Sequence, residues 1–243
     1  IISGLYNDMK INSVEIAQIS QYAENVFFKK PCGLMDQMAC SVGGMVNIDF
    51  KDPTKPIVKK VPTEFEKYDY SLCIVDTKGD HVDLTDDYAM IPSEMKKVAN
   101  FLGEDYLRDC DSNEFYIRLD EIREAVGDRP VLRAIHFFND ERNVKNAVSS
   151  LENGKFVEFL DAIRKSGNSS FKYLQNVYTT RDIQHQNISV ALALSESLLR
   201  NYGVCRVHGG GFAGTIQAFV KNEFVSNYKE FINKIFGENS CHV

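Results

Sequence analysis

Two stretches of the chain hold residue types and spacings that could do chemistry. The first is Lys30-Pro-Cys-Gly-Leu-Met-Asp-Gln-Met38. Behind its Pro-Cys-Gly turn, Asp36 and Gln37 fall in the first turn of a short helix. Free backbone N–H groups and the positive helix end hold a carboxylate ionised there. A fixed, ionised carboxylate within reach of a hydroxyl is a general base. The same placement also suits an acid that only complements the helix dipole, and spacing alone does not separate the two.

The second stretch is Arg206-Val-His-Gly-Gly-Gly-Phe-Ala-Gly-Thr215. Four glycines in six residues permit positive φ and close backbone approach. The segment that follows alternates as a strand, so this is not a dinucleotide-binding fingerprint. No Gly-Lys-Ser/Thr follows, so it is not a Walker A loop either. The glycines serve either a tightly packed connection or a brace for a neighbouring phosphate loop.

The elements that position these stretches are legible. Asn12 and Glu15 have the spacing of a capping box, with Ile11 and Ile16 as its staple, and open a helix running to about Asn25. Lys30-Pro31-Cys32-Gly33 turns the chain. Met35, Met38, Ala39 and Val42 then keep helical spacing until Gly43-Gly44. Residues 45–50, 57–61 and 70–76 read as strands, separated by turns at Asp52-Pro53 and Lys78-Gly79-Asp80. Helices are expected over 92–102, 113–126, 130–151, 155–177 and 188–201. Strands at 204–207 and 215–220 flank the glycine loop, and a helix over 223–236 follows. Strands, then a helical block, then strands is the order of an α+β domain.

Composition excludes several functions. Against 28 Lys and Arg stand 34 Asp and Glu, a net charge of −6. No basic block interrupts that background, which argues against nucleic-acid or anionic-membrane partners. No apolar run is long enough to span a bilayer. Six scattered cysteines without a CxxC pair fit free thiols in a reducing cytoplasm better than a disulfide framework or a structural zinc site. The histidines lack HExxH spacing. The chain opens Ile1-Ile2-Ser3 and closes Cys241-His242-Val243 on an incoming strand, so it reads as part of a longer protein.

The two stretches together carry a family resemblance. PCGLMDQMACSVGG resembles the catalytic segment of the galactokinase family, and RVHGGGFAGTIQAFV resembles the third motif of the wider GHMP kinase family. Asp83-Leu-Thr-Asp-Asp-Tyr88 and Arg133-Ala-Ile-His136 resemble the family between them, so the similarity runs the length of the chain in order.

The resemblance implies an ATP-dependent kinase phosphorylating galactose at O1, with ATP and Mg²⁺ as cofactors. Asp36 aligns with the aspartate that takes the proton of the anomeric hydroxyl. Gly33 aligns with a glycine whose backbone touches the sugar, and Tyr88 with a tyrosine whose hydroxyl bonds it. Glu24 aligns with the glutamate that helps hold Mg²⁺. A carboxylate at a helix C-terminus is unfavourable by a few tenths of a kcal/mol or more, which a nearby cation would offset. His136 and His208 read as structural.

The family's GRxNxxGEHxDY and GLSSSA motifs do not occur here. The expectation is therefore a two-lobed α+β fold of which residues 1–25 are the tail of the N-terminal lobe and 26–243 the ferredoxin-like C-terminal lobe. The chain on its own is expected to be inactive. A related kinase acting on N-acetylgalactosamine, or a galactokinase-like sugar sensor regulating transcription, shares the same motifs.

Overall fold

The computed structural model describes residues 2–29, 32–79 and 84–243. Lys30 and Pro31 of the expected turn, Asp80, and Asp83 of the stretch before Tyr88 lie outside them. The chain packs into two compact units, residues 1–64 and 65–243.

The first unit holds helices α1 (Ile2–Asn7), α2 (Ser13–Tyr22) and α3 (Met35–Val42) and strands β1 (Val46–Asp49) and β2 (Ile57–Lys60). The capping box forms as read. The Asn12 side chain accepts from the amides of Val14 and Glu15, and Glu15 accepts from the Asn12 amide at 2.9 Å. At its far end α2 widens into a π-turn, Ala23–Phe27, which carries Glu24. Met38 is fully buried with Ala17 and Leu34, against Val42, Ile48 and Val58. Burying a side chain of that size contributes about 1.5–3 kcal/mol, which fixes α3 on α2. Gly43, at φ +71°, ends α3. Strands β1 and β2 then pair antiparallel from Val46↔Lys60 to Asp49↔Ile57.

The second unit is built on a four-stranded antiparallel sheet in the order β4-β5-β3-β6. Its strands are β3 (Tyr70–Asp76), β4 (Gly203–Val207), β5 (Thr215–Lys221) and β6 (Cys241–His242). Val75, Val207, Ile216, Ala218 and Val220 fill one core with residues of α9 (Asn187–Leu198) and α10 (Asn222–Phe236). A second core lies within the helical block: Val98 of α4 (Thr85–Phe101), Phe115 of α5 (Ser112–Ile117), Ile122 of α6 (Leu119–Val126) and Ala134 of α7 (Asp128–Glu152). Helix α8 (Phe156–Ser169) completes the block. The α+β class read from the sequence holds.

Three boundaries differ from expectation. Helix α4 begins at Thr85, seven residues before Pro92, so Tyr88 lies inside it and the proline sits mid-helix. Proline there costs about 3 kcal/mol. Against that cost, Leu84, Tyr88 and Ile91 pack with Phe212 and Ala213. The helix expected over 113–126 is broken at Arg118, whose φ −101°, ψ 22° is not helical. The helix expected over 155–177 stops earlier, passing through a π-turn (Ser170–Leu174) into left-handed Gln175.

Buried charge ties the helical block together. Arg133, 2% exposed, donates Nη1–H to Glu94 Oε2 at 2.9 Å and Nε–H to the Leu174 carbonyl at 3.2 Å. Arg129 binds the same carboxylate. His136 is also buried, with Nδ1 3.0 Å from Ser169 Oγ. Both ends of the resembling Arg133–His136 stretch are thus engaged within the helical block.

Candidate functional site

In the first unit, Gly33 and Asp36 frame the start of α3. Both residues are exposed, and Gly33 has open space where a Cβ would stand. Asp36 carries no side-chain hydrogen bond or ion pair among the described residues. It is a carboxylate at the positive end of a helix whose oxygens no neighbour occupies, which leaves it able to accept a proton from an approaching hydroxyl.

Glu24 and α3 are brought together by the residue beside Asp36. Gln37 donates Nε2–H to Glu24 Oε1 at 2.9 Å and also contacts Cys32 Sγ at 3.4 Å. Gln37 Oε1 is buried without a partner, although buried amide oxygens are normally bonded. Gln37 stood next to the candidate base in the sequence, but nothing there tied it to Glu24. That pairing needs the π-turn to carry Glu24 beside α3.

Tyr88 belongs to the second unit, where it holds the glycine loop. Its hydroxyl donates to the Gly211 carbonyl at 2.7 Å, and its ring meets Phe212 edge-on at 5.3 Å. Burial pushes its phenol pKa above the ordinary value. Because the hydroxyl has only one proton to give, any further partner must donate to it.

Asn176 grips the loop from another side. Its side-chain amide donates to the Gly210 carbonyl at 3.1 Å, and its own carbonyl accepts from the Phe212 amide at 2.5 Å. A Cβ on Gly211 would lie 1.9 Å from that carbonyl oxygen, so this position, at φ +84°, demands glycine. Thr77 completes the hold, donating its hydroxyl to the Gly214 carbonyl at 2.7 Å. Asn176 was invisible in the sequence because it was read as helix interior; left-handed Gln175 turns it out to the loop. With the loop so braced, the exposed amides of Gly209 and Gly210 have no hydrogen-bond partner among the described residues.

Among the described residues, no three His, Cys, Asp or Glu side chains cluster to hold a metal ion. No helix among them is long and apolar enough to cross a membrane.

No protein-family profile matches the chain. Curated relatives do. It is 27% identical to a galactokinase of Actinobacillus pleuropneumoniae over 225 residues, 93% of this chain and 56% of that one. It is 26% identical to a galactokinase of Glaesserella parasuis over 96% of this chain and 56% of the relative. A Streptomyces coelicolor galactokinase is 27% identical over 85% of this chain and 51% of the relative. The chain thus spans about half the length of these relatives.

Among solved structures, a Lactococcus lactis galactokinase complexed with galactose superposes with a TM-score of 0.73 at 20% identity, covering 98% of this chain and 59% of that one. An L. major mevalonate kinase in complex with R-mevalonate gives 0.56 at 14% identity, covering 98% and 58%. At such identities the superpositions speak for the fold alone, and the curated relatives show what the sequence is similar to. Along nearly its whole length the chain is similar in sequence to galactokinases, and it shares its α+β fold with a solved galactokinase and a solved mevalonate kinase.

Proposed function

We propose that these residues form part of a galactokinase that transfers the γ-phosphoryl group of ATP to O1 of galactose. The observation that carries this reading is Asp36: it stands where the galactokinase-like segment needs a base, exposed, at a helix N-terminus, with its oxygens unengaged. Asp36 takes the proton of the anomeric hydroxyl as that oxygen bonds to phosphorus. The bond from phosphorus to the β–γ bridging oxygen breaks, and ADP leaves. Such transfers depend on positioning and charge stabilisation.

In this reading the backbone at Gly33 contacts the sugar, and the Tyr88 hydroxyl accepts from a sugar hydroxyl while still donating to Gly211. The unpaired amides of Gly209 and Gly210 suit a nearby anion. Glu24 fits one side of a Mg²⁺ site. It offers a carboxylate beside the unpaired amide oxygen of Gln37, and Mg²⁺ is commonly held by one or two carboxylates together with substrate phosphates. When bound, the ion neutralises charge on the phosphates. The same reading assigns residues 1–25 to an N-terminal lobe and 26–243 to a ferredoxin-like C-terminal lobe, in a protein of the reducing cytoplasm.

The test uses a chain of the relatives' length that carries these residues. Galactose-dependent release of ADP is expected, and these 243 residues by themselves should show none. Faster turnover of N-acetylgalactosamine than of galactose would reassign the substrate. Binding of galactose and ATP without turnover would make the protein a sugar sensor.

A further inference from the structure

A cavity of about 680 Å³ opens in the second unit, between the end of α8, helix α9 and strand β4. It lies towards the start of β4, whereas the glycine loop leaves that strand's other end. Its size is within the range of small-molecule sites, and no role described so far uses it.

The lining divides by chemistry. Leu192, Leu199, Val204 and Cys205 are buried and give it an apolar floor. Gly167 brings α8 close to the sheet edge, since a Cβ there would lie 2.8 Å from the Cβ of Arg206. The half-exposed ring of Phe171 forms a wall. Around the mouth stand Arg164, Lys172 and Arg200, all exposed, against one acid, Glu196. Arg164 is paired with Asp161, but Lys172 and Arg200 have no carboxylate partner among the described residues. Within the lining, the Ser189 hydroxyl is shielded from solvent and has no hydrogen-bond partner among the described residues.

We propose that this cavity binds a small amphipathic organic anion: an aromatic or short acyl body on the apolar floor, with a carboxylate, sulfonate or phosphate head held by Lys172 and Arg200. An apolar body alone would leave two unpaired cations at the mouth, and an inorganic anion would leave the floor bare. Both halves of the ligand are therefore needed.

The test is a fluorescence titration of the full chain with 8-anilinonaphthalene-1-sulfonate; the chain has no tryptophan to interfere. One saturable site is expected, with the uncharged N-phenyl-1-naphthylamine binding at least tenfold more weakly. Lys172→Glu combined with Arg200→Glu should weaken the sulfonate at least tenfold. Ala193→Phe, which adds bulk at an exposed lining position, should abolish the site. These changes are on the surface, and an unfolding midpoint within a few degrees of wild type checks each variant. Phe27 and Phe28 are exposed in the first unit, so Phe27→Ser with Phe28→Ser should leave binding unchanged. The proposal is overturned if the double charge reversal binds like wild type, if the Phe27/Phe28 variant removes the signal, or if no saturable site is found.

Discussion

The hydroxyl of Tyr88 reaches across 123 residues of sequence to donate to the carbonyl of Gly211 at 2.7 Å. Tyr88→Phe keeps the ring against Phe212 and deletes that donor, leaving the carbonyl of buried Gly211 with the Ala213 amide alone, at 2.7 Å. The expected loss of stability is about 0.5–1.5 kcal/mol, the net worth of one hydrogen bond. Urea denaturation of the wild type and the variant measures it. Equal stabilities would mean that the bond does not hold the loop.

The glycines of that loop are not equivalent, and paired substitutions should show it. Gly209 has φ +70° with open space around the missing Cβ. Gly209→Ala should therefore cost only the left-handed backbone penalty, about 1–2 kcal/mol. Gly211→Ala adds a Cβ placed 1.9 Å from the Asn176 carbonyl, and something must move. Its loss should exceed that of Gly209→Ala by at least about 2 kcal/mol, the scale of overpacking costs. Thermal unfolding of the two variants side by side checks the order, and the reverse order would refute the Asn176 contact.

How much of this was legible depended on whether the signal was local. The capping box at Asn12 and Glu15, the α3 periodicity through Met38, and the strand–glycine–strand pattern around Gly209 are short-range patterns, and they were readable. Tyr88 was misplaced because Pro92 reads as a helix start. The packing of Leu84, Tyr88 and Ile91 with Phe212, far away in sequence, keeps the helix going through the proline. Asn176 and the Gln37–Glu24 bond were missed for a related reason. Each depends on an irregular backbone turn, the left-handed Gln175 or the π-turn at Glu24, that no residue type announces. The place of Asp36 in the first turn of α3 could be read because that helix start lies within its own segment.

His136 should make stability depend on pH. Burial, reinforced by Arg206, depresses its pKa below the ordinary 6.5, and Asp140 only partly opposes this. Between that depressed value and 6.5 the unfolded chain binds a proton that the folded chain does not. Stability therefore rises with pH through this window and is lost as pH falls below about 6.5. One such proton is worth at most about 1.4 kcal/mol per pH unit. Urea denaturation at pH 7.5 and 5.5 should show the wild type losing more stability than His136→Gln on going to the lower pH. Parallel losses would place the pH dependence elsewhere.

Asp36→Asn separates catalysis from structure. In a chain of the relatives' length it should lower kcat at least a hundredfold, the usual floor for removing a general base, with KM for galactose changed only weakly. The carboxamide keeps the volume and one acceptor oxygen but cannot take the hydroxyl proton. Because Asp36 is exposed and has no side-chain partner among the described residues, the thermal midpoint should stay within a degree or two of wild type. A purely structural Asp36 predicts the opposite pattern: a stability loss of about 0.3–1 kcal/mol, the scale of a first-turn acid on a helix dipole, with kcat retained. Measuring kcat and the midpoint on one preparation decides between them. If the variant keeps more than about a tenth of wild-type kcat, well short of that hundredfold floor, Asp36 is not the base.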